Sequence, residues 1–107
     1  MAMTYDLYVE PTVHEARKAL PGNVRQRVRT QIEALALAPR PRNSRPLKTE
    51  GLDLSAKTQI RRIRLDRWRI VYAVNDAEHW VWVLGIYRRP PYNYEDLADL
   101  ANGLPGP

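Results

Sequence analysis

Arg62-Ile63-Arg64-Leu65-Asp66-Arg67-Trp68-Arg69-Ile70-Val71-Tyr72 reads as two strands joined by a tight turn. Side chains two apart in a strand share a face. Arg62 and Arg64 therefore lie on one face, and Ile63 and Leu65 on the other. Asp66-Arg67 is the link. Beyond it, Trp68, Ile70, Tyr72 and Val74 make a bulky apolar face suited to packing against helices, while Arg69 falls on the opposite face with Val71 and Ala73. A tight turn brings Arg69 close to Arg64. The expectation is a sheet with one apolar face and one open face that carries Arg62, Arg64 and Arg69.

Working outward, Asn75-Asp76-Ala77-Glu78 is a second polar turn, and Trp80 to Tyr87 is a third strand. Trp80 and Trp82 share a face, read here as directed toward the helices. Near the N-terminus, Tyr5, Leu7 and Val9 alternate with Thr4, Asp6 and Tyr8, the period of a strand. Pro11 stops it. Thr12 with Glu15 three residues on suggests a capping box opening a helix, which ends at Leu20-Pro21-Gly22. Asn23 is positioned to cap a second helix whose apolar stripe is Val24, Val28, Ile32 and Leu35. Pro39 and Pro41 end it.

Arg40 to Gly51 reads as an irregular connection. Pro90-Pro91 ends the sheet, Tyr94 to Ala101 suggests a short helix, and Asn102 to Pro107 a frayed tail. The order is β-α-α-β-β-β. The expected fold is α+β, an antiparallel sheet with a two-helix hairpin on one face, in a single domain over residues 1–107.

Lys plus Arg is 17 against 12 for Asp plus Glu, a formal charge of +5 that favours polyanionic partners. With no cysteine, and with only His14 and His79 as imidazoles, neither a metal site nor a small-molecule cofactor is expected. Both histidines read as packed or solvated side chains. No apolar run is long enough for a membrane span, and Met1 to Glu10 lacks the pattern of a secretory signal. The expected setting is the cytoplasm, without a membrane partner.

Gln59 to Ile70 holds five arginines and one acid, Asp66. Solvent-facing strands ordinarily mix charge signs, so this bias points to binding rather than solvation. Guanidinium forks match phosphate oxygens, and tyrosines among them stack on unpaired bases. Arg88 and Arg89 follow the last strand, with Tyr92 and Tyr94 just after. The constellation suits single-stranded RNA.

The hairpin over residues 62–72 resembles the central hairpin of the RelE/ParE toxins: basic-apolar-basic, a tight turn, aromatic-Arg, two aliphatics and Tyr. Arg45-Pro46-Leu47-Lys48 resembles the stretch before that hairpin, and Val83-Leu84-Gly85-Ile86-Tyr87-Arg88-Arg89 the last strand. The resemblance runs from about Tyr5 to Leu97. It implies the toxin of a toxin-antitoxin pair, with a cognate antitoxin protein as partner. In the RelE branch the target is messenger RNA on the ribosome, cut in the A site. In the ParE branch it is DNA gyrase.

By the resemblance, Arg62 and Arg64 stand where the RelE branch has two strand lysines. Arg69 stands at its phosphate-binding arginine, Arg89 at the arginine after the last strand, and Tyr92 or Tyr94 at the C-terminal tyrosine. Lys48, Lys57, Arg61, Arg67 and Arg88 are the further cations expected to hold RNA. One departure carries chemistry. Cleavage by 2′-hydroxyl attack needs proton removal and delivery, and arginine stays protonated. The proton work then falls to a tyrosine, to Lys48 or Lys57, or to ribosomal groups. The favoured expectation is a ribosome-dependent endoribonuclease that inhibits translation. The alternative is a gyrase inhibitor, or a catalytically weak homologue that acts by binding only.

Overall fold

A computed structural model describes residues 4–49, 54, 57–88 and 104. Its elements are β1 (Asp6–Val9), α1 (Pro11–Lys18), α2 (Gly22–Ala34), β2 (Ser44–Pro46), β3 (Thr58–Leu65), β4 (Trp68–Asn75) and β5 (Trp80–Arg88). The five strands form one sheet in the order β1-β5-β4-β3-β2. The β3-β4 and β4-β5 pairs are the two expected hairpins. The first turn is tight because Asp66 adopts a left-handed backbone, φ 55°, a conformation that Asp tolerates better than most residues.

Three expectations are corrected here. The sheet is mixed, not wholly antiparallel, since β1 runs parallel to its neighbour β5. A parallel neighbour cannot be reached by a hairpin; α1 and α2 carry the chain from β1 to β2 at the opposite edge, and the chain returns through β3 and β4 before β5 lies beside β1. The stretch Arg40 to Gly51 is not all irregular: Ser44–Pro46 is an edge strand on β3, and edges are where proline is tolerated in a sheet. Finally, α1 begins at Pro11 rather than after it, and no side-chain cap forms at either helix start. Proline suits the first helical position because its missing N–H would have no partner there.

Val13, Val28 and Ile32 of the helices, with Leu20 between them and Leu35 just after α2, pack on Ile63, Leu65, Ile70, Tyr72, Val74, Val81 and Val83. This is the expected helix-side core, with the predicted stripe of α2 inside it. The opposite face was expected to be open, and it is partly closed. Ile60, Val71, Ala73, Trp80, Leu84 and Leu104 form a second buried cluster, flanked by Leu47, Leu54, Trp82 and Tyr87. Leu104 was expected in a frayed tail and is buried here. Trp80 and Trp82 were expected toward the helices and also belong to this far face. The rest of the expected terminal helix and tail lies outside the described residues.

A polar lock closes the end of the sheet near the β4-β5 turn. The Tyr5 hydroxyl donates to Asp76 at 2.6 Å, and Arg40 donates to both carboxylate oxygens of Asp76 at 3.1 and 2.8 Å. These bonds tie β1 and the chain after α2 to the turn. The Arg40 fork, then the Tyr5 hydroxyl, hold the Asp76 carboxyl below its usual range. A depressed folded-state pKa stabilises the fold at pH above the unfolded value, about 3.9 for Asp, and that stabilisation fades as pH falls through the lower folded value. Asp76→Asn is therefore expected to melt below wild type at pH 7, with the gap closing below about pH 4. Melting curves from pH 3 to 7 check it; a gap independent of pH would contradict the role of the carboxylate.

Candidate nucleic-acid interface

The register of β2, β3 and β4 fixes which side chains meet on the far face. Arg64 stands directly opposite Arg69, and Arg62 opposite Val71. Arg45 of β2 stands opposite Arg62. On β5, Tyr87 is opposite Arg69 and Gly85 opposite Val71. Arg62, Arg64 and Arg69 are thus brought together on one face as expected, and Arg45 and Tyr87 join them. Arg64 and Arg45 are exposed and Arg62 is half-buried.

Arg69 is the main surprise. It was expected to be an exposed arginine on an open face, but it is only 1% accessible. Its Nη1 donates to the backbone carbonyls of Asp66 at 2.8 Å and Trp68 at 2.9 Å. It therefore holds the β3-β4 turn from beneath. Its Nε is buried without a hydrogen-bond partner, an uncommon cost in a folded protein. Strand alternation placed it on the correct face but gave no sign of its burial.

The other cations spread over different surfaces. Arg61 alternates to the helix-side face, where its fork is taken by Ser44 and Gln59: Nη2 to the Ser44 hydroxyl at 2.8 Å and Nη1 to Gln59 at 3.2 Å. It staples the edge strand β2 to β3. Arg67 sits exposed at the hairpin tip. Arg88 pairs in register with Trp68, and with Arg67 it lines an open groove of about 540 Å³ beside Pro21, Asn23 and Val24 of the α2 start. Lys48 and Lys57 are exposed. Arg89, Tyr92 and Tyr94 lie outside the described residues.

Two members of the far-face group were missed for identifiable reasons. Arg45 escaped because three residues with a proline give no strand period. Tyr87 escaped because a register shift falls in β4 between Val71 and Tyr72, opposite Leu84, which has no partner on β4. This extra residue lets Trp80, Trp82 and Leu84 share the far face with Gly85 and Tyr87, which unbroken alternation would forbid. Gly85 leaves room there for the Tyr87 ring. A β-carbon on it would stand 2.6 Å from the Tyr87 hydroxyl.

The molecule is thus an α+β protein with a helix pair on one face of a mixed five-stranded sheet and arginines clustered on the other. That is the RelE fold. No protein-family model matches the sequence, and no curated protein matches it either. Among solved structures, the chain is similar to an archaeal RelE–RelB complex from Pyrococcus horikoshii OT3, at 25% identity and TM-score 0.70, covering 84% of this chain and 100% of that one. It is also similar to the RelBE2 toxin–antitoxin complex of Mycobacterium tuberculosis, at 21% identity and TM-score 0.62, covering 80% and 99%. The isolated E. coli RelE toxin follows at 20% identity and TM-score 0.58, covering 89% and 95%. The resemblance to RelE toxins read in residues 62–72 therefore holds for the fold as a whole.

Proposed function

We propose that this chain is the toxin of a toxin–antitoxin pair and acts in the cytoplasm as a RelE-like, ribosome-dependent endoribonuclease. The observation that carries the reading is the set of arginines on the far face, with Arg64 directly opposite the buried Arg69 and Arg62 two residues away on the same strand. Arg62 and Arg64 meet the phosphate. Arg69 acts from beneath, by fixing the turn and adding positive potential in a site of low dielectric. Charge developing at phosphorus during 2′-hydroxyl attack is stabilised by such fixed donors. Tyr87, opposite Arg69, joins Tyr92, Tyr94, Lys48 and Lys57 as groups able to exchange protons. The partner is a cognate antitoxin that neutralises part of the basic surface.

The same arginines favour a second reading. None of them accepts a proton at neutral pH, so a toxin that only binds, to RNA or to gyrase, needs no more than they provide. Induction of the chain in a bacterial host separates the two. The proposal expects growth arrest with messenger cut within codons, relieved by co-expression of the product of an adjacent gene. Arrest with intact messenger and inhibited supercoiling would select the gyrase reading. Normal growth with the chain present in soluble form would overturn both.

A further inference from the structure

Nothing in the family resemblance gives Arg45 a role. The register sets it directly opposite Arg62 on the far face, and one row along, Arg64 stands directly opposite Arg69. Two successive rows across β2, β3 and β4 are therefore arginine facing arginine. Directly opposite residues in an antiparallel pair hold their β-carbons about 4.5–5.5 Å apart, where like charges destabilise the sheet.

Among the described residues no acid relieves this. The ion pairs among the described residues join Lys18 to Glu15, Arg27 to Asp66, Arg29 to Glu33 and Arg40 to Asp76. Arg45, Arg62 and Arg64 take part in none of them, and no hydrogen bond occupies their guanidinium groups. Neighbouring Arg61 shows the contrast, since its fork is fully engaged on Ser44 and Gln59. A like-charge cost thus stands at Arg45 and Arg62 with no partner for it among the described residues.

The two rows are about 7 Å apart along the strand, two residues at roughly 3.4 Å each. A chain that carries one negative charge per repeat can neutralise both rows at once, whereas a single small anion serves one. We propose that Arg45 and Arg62 form a second phosphate-holding pair beside Arg64, so that single-stranded RNA crosses the far face with successive phosphates on successive rows and leaves at the β2 edge. This rests on the reading of the far face as an RNA surface.

The test uses the full chain and a fluorescent 2′-O-methyl RNA of about 12 nucleotides, which lacks the attacking hydroxyl. Binding is followed by anisotropy between about 50 and 200 mM salt. Each phosphate contact to a single strand adds about 0.7 to the slope of log affinity against log salt. Arg45→Ala is expected to lower that slope by about 0.7 and to weaken binding roughly fivefold at low salt. Arg45→Lys should keep the slope. Without RNA, Arg45→Ala should melt at or above the wild-type temperature, because a repulsion has been removed.

A wild-type slope and affinity in Arg45→Ala, with weakened binding in Arg64→Ala, would overturn this inference and leave the RNA reading standing. Lowered melting in Arg45→Ala, with no recovery of the slope in Arg45→Lys, would overturn it in favour of a structural role. Absence of RNA binding by the wild type, or wild-type binding by both alanine variants, would remove the RNA reading and this inference together.

Discussion

Arg69→Ala should unfold far more readily than the wild type, quite apart from any effect on toxicity. The guanidinium donates two hydrogen bonds to backbone carbonyls at the turn. Bonds from a charged donor contribute about 1.5–3 kcal/mol each. Deleting the buried and unpaired Nε–H returns roughly 1–3 kcal/mol. The carbonyls lose about 3–6 kcal/mol together, and at mid-range this outweighs the returned desolvation by roughly 2–3 kcal/mol, a large share of the 5–15 kcal/mol typical of a domain. In urea the midpoint should fall by about 1–2 M. An unchanged midpoint would mean that the guanidinium does not hold the turn. An exposed arginine at this position would have been nearly neutral to folding, as the open-face expectation required. Its burial makes loss of toxicity in Arg69→Ala ambiguous between site and fold.

The pair above it is free of that ambiguity. Arg62→Ala combined with Arg64→Ala should abolish growth arrest while leaving the fold intact. Arg64 is exposed and Arg62 half-buried, and neither guanidinium has a hydrogen bond or ion pair to lose among the described residues. Removing them also relieves the opposition of Arg45 to Arg62 and of Arg64 to Arg69, which is worth about 0.2–1 kcal/mol per pair. The double variant should therefore melt at or slightly above the wild-type temperature. Loss of one transition-state donor costs on the order of a hundredfold in rate, so cleavage by the double variant should fall by at least that much. Full arrest by a folded double variant would show that the far-face arginines are not the site.

Much of this was legible in the sequence because the decisive segment is a regular hairpin. Alternation and a two-residue turn read strands over Ile60 to Leu65 and Trp68 to Asn75, within two residues of the observed β3 and β4, and put Arg62, Arg64 and Arg69 on one face. The helix stripe of Val28, Ile32 and Leu35 was read by the same periodic logic. What failed was non-local. The partner of β1 is β5, the last strand, which no turn or single connection joins to it. The three residues of β2 form a strand by pairing with Arg61 to Ile63 of β3, flanked by the Leu47 N–H donating to the Ile60 carbonyl and the Arg64 N–H donating to the Asn43 carbonyl. The faces of Trp80 and Trp82 were misread because the irregularity opposite Leu84 is invisible to alternation. Arg69's burial could not be read either, since parity gives a side and not a cover, and Leu47, Leu54 and Leu104 reach that face from outside the hairpin.

The central claim is that the far-face arginines act on messenger RNA at the ribosome. Primer extension on a defined messenger, incubated with the purified chain with and without translating ribosomes, tests it most directly. The account predicts new 5′ ends within codons that appear only when ribosomes are present and vanish with the Arg62→Ala, Arg64→Ala double variant. Intact messenger on translating ribosomes, from a chain that still arrests growth, would contradict it.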